Sequence, residues 1–229
     1  MIVEGFEQRS YDWFRSRLGK ITGSLVHLIM TLGRKKDEQF GETAKGYIKT
    51  LAFERTLNPA LIDDDDTFQE YLDEVNVTTK AMRIGTERED EAVDKWKAYV
   101  GDRYEVVEVS SCRHDEIDCF AASPDRIIYD RETREMGVLE VKCPNGGTHM
   151  GYRHDIHDWQ SLKNAKKEYY WQMQAEMACT GARFGIFLSY EPWSLKAIHT
   201  AYIERNDGDI MIMEERVREA NRLIEEYTL

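Results

Sequence analysis

The sequence predicts a mixed α/β fold, a central sheet flanked by helices, in one domain over residues 1–229. Three observations carry that expectation. The segments run as helices, a strand meander, a helix, two strands and a last helix, the order of a mixed sheet with helices packed on its faces. Two apolar runs, at 119–123 and 136–143, are joined by the turn-rich stretch 129–135, which reads as a hairpin. Between 79 and 100, Met82, Gly85, Glu89, Val93, Trp96 and Val100 recur at spacings of three and four, the stripe of one long helix.

In chain order, the segment 10–31 is helical. Ser10 can cap a helix carrying Trp13, Phe14 and Leu18, and Thr22 or Gly23 can start another through Leu25, Leu28 and Ile29. Residues 38–57 form a helix with Phe40, Ala44, Tyr47, Leu51 and Phe53. It stops at Asn58-Pro59, because a residue before proline is pushed out of the helical region. The acidic run Asp63-Asp64-Asp65-Asp66 is a solvated loop or a helix start. After the long helix come strands at 104–110, 117–123, 125–129 and 136–143. A polar loop with glycines and histidines covers 144–158. A helix at 160–180, strands at 184–190 and 197–204, and an amphipathic helix at 208–227 complete the chain.

Size and composition narrow the class. A chain of 229 residues, 41% apolar and 11% aromatic, is large enough to bury a sizeable core and fits a soluble protein. No apolar run approaches the roughly 18 residues that span a membrane. No basic start precedes an apolar stretch, so a signal peptide is not expected and a cytoplasmic setting is. Cys112, Cys119, Cys143 and Cys179 are scattered without a Cys-x-x-Cys pair, which fits reduced thiols and does not support zinc or an iron–sulfur cluster. The net charge of −12 argues against a tight sequence-specific DNA binder, since such affinity comes from basic patches. Two considerations soften this. Metal-binding carboxylates are neutralised by their ions. Arg9, Arg15, Arg17 and Lys20, with Arg34, Lys35 and Lys36, can also form a local basic surface.

Ser123-Pro124-Asp125 and Glu140-Val141-Lys142 carry the most informative chemistry. Strand residues two apart share a face, so Glu140 and Lys142 lie on one side, and the hairpin register can bring Asp125 alongside. Gathering two carboxylates and an ammonium is costly unless something uses them. One account is a divalent cation with an attacking water; the other is an ordinary surface hairpin with a Glu140–Lys142 pair. On the first, Asp125, Glu140 and the Val141 carbonyl are hard oxygen ligands suited to Mg²⁺ or Mn²⁺. Lys142 then orients or helps deprotonate the water and stabilises transition-state charge. Glu89, on the apolar stripe, poses a similar choice between a metal ligand and an edge residue paired with an arginine. His149, His154 and His157 share a segment with no cysteine, which favours a surface or DNA-contacting loop over zinc. Cys143 has no His/Asn partners and reads as a small buried strand residue. Tyr169-Tyr170-Trp171 reads as core, with base stacking the alternative.

Five segments taken together resemble the phage-type alkaline exonucleases, the lambda exonuclease and YqaJ viral recombinase family of the PD-(D/E)xK nucleases. They are RLGKITGS at 17–24, KAMRIGTERE at 80–89, ASPD at 122–125, LEVKCP at 139–144 and QMQ at 172–174. The resemblance implies a restriction-endonuclease-like core and a Mg²⁺-dependent enzyme. Such an enzyme degrades the 5′-ended strand of linear double-stranded DNA and leaves 3′ single-stranded tails for recombination. It implies that Asp125, Glu140 and the Val141 carbonyl bind metal, that Lys142 is the catalytic lysine and that Glu89 completes the metal site from its helix. Gln172 matches a glutamine that enters the active site from the following helix. Arg17 and Ser24 match a pocket for the 5′-phosphate, an anion suited to a guanidinium. Met82 matches an apolar wedge at the terminal base pair, although its spacing alone reads as core. A phage or prophage setting, a homotrimeric ring and a single-strand annealing protein as partner are implied in the same way. The chain departs from the pattern at Arg126, where many relatives have glycine, and at 57–77, which looks longer than in the best-known relative.

Three rivals remain at this level. One is a structure-specific or restriction-type endonuclease of the same superfamily. Another is a nuclease that shares the lysine motif but holds an iron–sulfur cluster through four cysteines, against which the scattered cysteines speak. The third is a non-catalytic DNA-end-binding protein, against which the complete set of Asp125, Glu140, Lys142 and Glu89 speaks.

Overall fold

The computed structural model describes residues 2–33, 38–75 and 80–229, with residues 2 and 80–86 described at the backbone only. The first half contains β1 (Ile2–Val3), α1 (Tyr11–Arg17), β2 (Ile21–Thr22), α2 (Val26–Ile29), α3 (Glu42–Glu54), α4 (Pro59–Ile62), α5 (Asp65–Val75) and α6 (Lys80–Val100). The second contains β3 (Tyr104–Val107), β4 (Cys112–Arg113), β5 (Phe120–Ala122), β6 (Arg126–Asp130), β7 (Met136–Lys142), α7 (Gly146–Asp155), α8 (Trp159–Ala165), α9 (Lys167–Thr180), β8 (Phe184–Tyr190), β9 (Ile198–Glu204) and α10 (Asp207–Thr228). Among the described residues no helix is long and apolar enough to cross a membrane.

The strands form two sheets. One is five-stranded, ordered β3-β6-β7-β8-β9, with β7 and β8 parallel and the other pairs antiparallel. The other is four-stranded, ordered β1-β4-β5-β2, with β2 parallel to β5. Period-2 alternation divides the side chains of β7 and β8 between two cores. Leu139, Val141, Ile186 and Leu188 pack against Ala92, Val93 and Trp96 of α6. Val138 and Phe187 pack on the other side with Tyr170, Met173 and Met177 of α9. Other residues of α9, Ala175 and Cys179, belong to a third core with α2, α3, α10 and the small sheet. Thus α9 is buried nearly all round. A Cβ on Gly185 would lie 2.7 Å from the Met173 methyl, so glycine there lets α9 press onto β8.

The long helix, both later strands and the last helix fall where the sequence predicts them. The stretch 129–135 does close a hairpin onto β7, but its first arm is β6, and the run 119–123 pairs instead with β2 and β4 in the small sheet. Other boundaries differ for identifiable reasons. Ile21 and Thr22 do not open a helix but pair with Phe120 and Ala121 as a short parallel strand, and only one turn, α2, follows. The helix predicted at 38–57 is shorter, Glu42–Glu54, and ends before Asn58-Pro59; Pro59 instead starts α4, where its missing N–H costs nothing and Asn58 caps. The acidic run proves to be a helix start: Asp64 Oδ1 accepts from the Thr67 N–H at 2.9 Å. The strand predicted at 104–110 ends at Val107, and that at 117–123 shortens to Phe120–Ala122.

Two differences matter more. The predicted loop 144–158 is largely α7, capped by Asn145, whose Oδ1 accepts from the Thr148 N–H at 3.0 Å. His149 is accordingly buried and not at the surface. Its ring pairs with Ser189 Oγ at 2.8 Å and the Lys196 carbonyl at 2.9 Å. His154 and His157 are exposed. The predicted helix 160–180 is two helices, broken at Lys166 (φ −145°, ψ 75°), with Gly181 in the left-handed region ending the second.

Candidate active site

The hairpin register sets Arg126 opposite Leu139, and therefore Asp125 beside Glu140. Asp125 is held there by the Val141 N–H, which donates to its Oδ2 at 2.6 Å. On β7, Glu140 and Lys142 share the α9 face. Glu140 is 1% exposed. Its Oε1 accepts from Lys142 Nζ, and from Gln172 Nε2 at 2.7 Å. Its Oε2 is buried with no hydrogen-bond partner. The Lys142 ammonium also lies 4.8 Å from the centroid of the Tyr169 ring.

The electrostatics follow from this crowding. Burial pushes the Asp125 carboxyl well above its usual range, and the charges of Glu140 and Glu89 push it further. Burial acts to lower the Lys142 pKa, but Glu140 and Asp125 outweigh it and the net shift is upward. Lys142 is therefore held as an ammonium. Cys143 lies just beyond β7 and is half-buried rather than a buried strand residue, and burial raises its thiol to about 12, which does not suit a nucleophile.

Glu89 projects from α6 toward the same centre, near enough for its charge to act on Asp125. Both of its oxygens are engaged: Oε2 by Arg9 at 2.8 Å and Oε1 by Arg126 at 3.1 Å. Arg126, the position where the sequence departs from the family pattern, also reaches Asp90 at 2.5 Å. Arg9 holds its place with φ of 69°, a left-handed conformation uncommon for a residue with a side chain.

Gln172 sits on α9 over Glu140, and its Nε2 donates also to Glu176 Oε1 at 3.0 Å. Glu176 is 1% exposed, and its Oε2 likewise has no partner. Burial, then Glu140, raises its pKa well above the usual value. Sequence reasoning missed this acid. The available signal was its spacing of four from Gln172, which places both on one helix face.

Arg17 is tied to the segment just before Asp125. Its Nη1 donates to Ser123 Oγ at 2.9 Å, and its guanidinium stacks 4.2 Å from the Trp13 ring centroid. Burial lowers its pKa to about 10. Among the described residues no carboxylate pairs with it, whereas Arg9, Arg15 and Lys20, expected to share a basic surface, are spent on Glu89, Asp65 and Glu4. Arg34, Lys35 and Lys36 lie outside the described residues. Ser24 follows β2 in a turn and is exposed, its Oγ 3.5 Å from Thr22 Oγ1. The Met82 side chain lies outside the described residues. Of the aromatic trio, Tyr170 is core, fully buried with its hydroxyl on Asp209, while Tyr169 and Trp171 are half-buried.

The donor set fits a hard divalent cation: carboxylates of Asp125 and Glu140, the adjacent Val141 carbonyl, and a buried Glu140 oxygen with nothing to bind. Among the described residues no three Asp, Glu, His or Cys side chains already converge on one point. They are turned instead toward Lys142, Gln172 and the two arginines.

A five-stranded mixed sheet with helices on both faces, and an Asp/Glu-x-Lys hairpin at its centre, define a fold of the PD-(D/E)xK type. Residues 12–183 match the YqaJ-like viral recombinase domain, and the chain belongs to that family. It is similar to the alkaline exonuclease LHK-Exo of Laribacter hongkongensis, at 29% identity over 96% of this chain and 94% of that one, with a TM-score of 0.72. The same figures hold for LHK-Exo in complex with dAMP. A phage-related exonuclease from Haemophilus somnus 129PT shares the fold, at 18% identity over 90% of this chain and 94% of that one, with a TM-score of 0.66. Comparison with the curated proteins finds no match.

Proposed function

We propose that the chain is a Mg²⁺- or Mn²⁺-dependent exonuclease that degrades the 5′-ended strand of linear double-stranded DNA and leaves 3′ single-stranded tails. The observation that carries this reading is the hairpin register that gathers Asp125, Glu140 and Lys142 around a buried, unpartnered carboxylate oxygen. Family membership and the similarity to an alkaline exonuclease over nearly all of both chains support it.

Asp125, Glu140 and the Val141 carbonyl would hold the ion. When bound, it supplies Lewis-acid stabilisation of a phosphoryl oxygen and lowers the pKa of water. Lys142, as an ammonium, orients the attacking water and stabilises charge building on the phosphoryl oxygens. Its raised pKa makes it a poor base while Asp125 and Glu140 surround it unneutralised. Gln172 fixes the rotamer of Glu140. Arg17, with Ser24 and Ser123, receives the 5′-phosphate and so sets the polarity of digestion. Glu89 belongs to this centre by resemblance, and it would have to leave two arginines to touch the ion.

Resemblance also suggests a ring of three subunits around the DNA and an annealing protein that takes the 3′ tail. The exposed Phe53 of α3, and Met211 and Ile212 of α10, are apolar surface available to such an interface.

The test is digestion of end-labelled linear duplex and covalently closed circular duplex, with and without Mg²⁺. Metal-dependent release of 5′ label from linear DNA alone is expected. Cutting of closed circles would replace this reading with an endonuclease. Binding to ends without any cutting would replace it with an end-binding protein. Light scattering checks the assembly, with a mass near three times 26.8 kDa expected.

A further inference from the structure

Two helix-borne acids border the centre, and they differ in what holds them. Glu89, the acid that the resemblance assigns to the metal, has a guanidinium on each oxygen. Glu176, which nothing assigns, has none. It lies one turn beyond Gln172 on α9, and a single amide nitrogen ties it to Glu140: Gln172 Nε2 reaches Glu140 Oε1 at 2.7 Å and Glu176 Oε1 at 3.0 Å. The two carboxyl groups lie within hydrogen-bond reach of each other, and Asp125 is close enough for its charge to act on Glu176. The Oε2 atoms of both Glu140 and Glu176 are buried and unpartnered. Two buried carboxyl groups this close, with Asp125 beside them, cannot both stay charged unaided: they need a proton held between them or a ligand of positive charge shared by both.

We propose that Glu176 is the third carboxylate of the metal centre, binding the divalent cation together with Asp125 and Glu140 in place of Glu89. The inference rests on the reading of this site as a metal centre. One ion would satisfy both orphaned oxygens at once and would break no existing ion pair. Recruiting Glu89 would break two, with Arg9 and Arg126. The charges also balance: three carboxylates offset a doubly charged ion and the Lys142 ammonium. Since no three ligand side chains yet converge among the described residues, the ion draws them in by side-chain rotation.

The experiment is Mn²⁺ titration of the metal-free full chain, following free Mn²⁺ by electron paramagnetic resonance. It compares wild type, Asp125→Asn, Glu176→Gln, Glu176→Ser and Glu89→Gln, with thermal melts to check folding. The serine variant serves if glutamine cannot be accommodated. Both Glu176 variants are expected to bind Mn²⁺ about tenfold more weakly or worse, and Glu89→Gln to stay within about twofold of wild type. If wild type binds no Mn²⁺, or Asp125→Asn binds as well as wild type, the metal-centre reading itself fails. If Asp125→Asn weakens binding but the Glu176 variants match wild type, that reading stands and the inference is overturned. A loss in Glu89→Gln as large as in the Glu176 variants also overturns it.

Discussion

The surroundings of Glu140 and of Arg17 carry opposite imbalances of charge. Around Glu140, carboxylates outnumber their cations, and two buried oxygens have no partner. Around Arg17, a half-buried guanidinium bonds to a serine and stacks on an indole; the charges of Glu4 and Glu54 reach it, but among the described residues no carboxylate is in ion-pair contact with it. Elsewhere the chain pairs its charges readily, as Arg103 does with Asp130 at 2.9 Å and Arg205 with Asp207 at 2.6 Å. The contrast teaches that neither imbalance reflects a shortage of counter-charges. On the proposed reading, each is open to a ligand of the opposite sign, a cation at one and a phosphate at the other.

The sharpest way to break this comparison is to remove the cation beside Glu140. Lys142→Ala should lower duplex cleavage by about a thousandfold or more, the scale of removing a preorganised charge from a transition state. DNA-end binding, measured by fluorescence anisotropy, should survive. Cleavage at the wild-type rate would sink the proposed chemistry. Around Arg17 the expected effect is smaller. Wild type should digest 5′-phosphorylated ends about tenfold faster than 5′-hydroxyl ends, and Arg17→Ala should erase most of that difference, since a charge-assisted pair is worth roughly 1.5–3 kcal/mol. Equal single-turnover rates on both ends in wild type would remove the phosphate pocket.

Acidity sharpens the comparison without any substitution. Asp125 and Glu176 have folded pKa values above their ordinary 3.8 and 4.5, so the folded state holds protons that the unfolded state has released. Their contribution favours folding below the ordinary values and is lost as pH rises through the raised ones. With chelator present, the melting temperature should fall over that rise, and Mn²⁺ should restore more stability the higher the pH. A Mn²⁺ effect independent of pH would argue that these carboxyls do not bind the ion. The smallest effect is expected at the rim. Arg126→Gly removes one of the two partners of Glu89 and should change Mn²⁺ affinity by no more than a few-fold, because Arg9 still holds the other oxygen. A change of a hundredfold by the same titration would show that the arginine pair governs the centre.

The strand-borne half of this site was legible in the sequence for a physical reason. A period of two and a turn-rich connector place Asp125, Glu140 and Lys142 with little help from the rest of the molecule. The helix-borne half was not. Because α9 is packed on nearly every side, its sequence shows no polar stripe, and Glu176 is hidden among Met173, Ala175 and Met177. Glu89 could be placed on its helix face, but its arginines come from residues 80 positions before it and 37 after. The predicted 144–158 loop misled through Gly146 and Gly147, whose cost to a helix is smallest in the first turn, where Asn145 caps. The break at Lys166 has neither glycine nor proline to announce it, since the demands of packing α8 and α9 in different directions outweigh local propensity.

Ser123, which holds Arg17, and Asp125, which stands beside Glu140, are separated only by Pro124. Two residues of backbone span at most about 7 Å, and the ring of proline stiffens the link. On the proposed reading, the anchored end of the strand and the bond to be cut are gauged by a short covalent strut, of the order of one nucleotide step. The product would then be a mononucleotide at every cycle, its length set by the connection between two sheets and not by the DNA sequence.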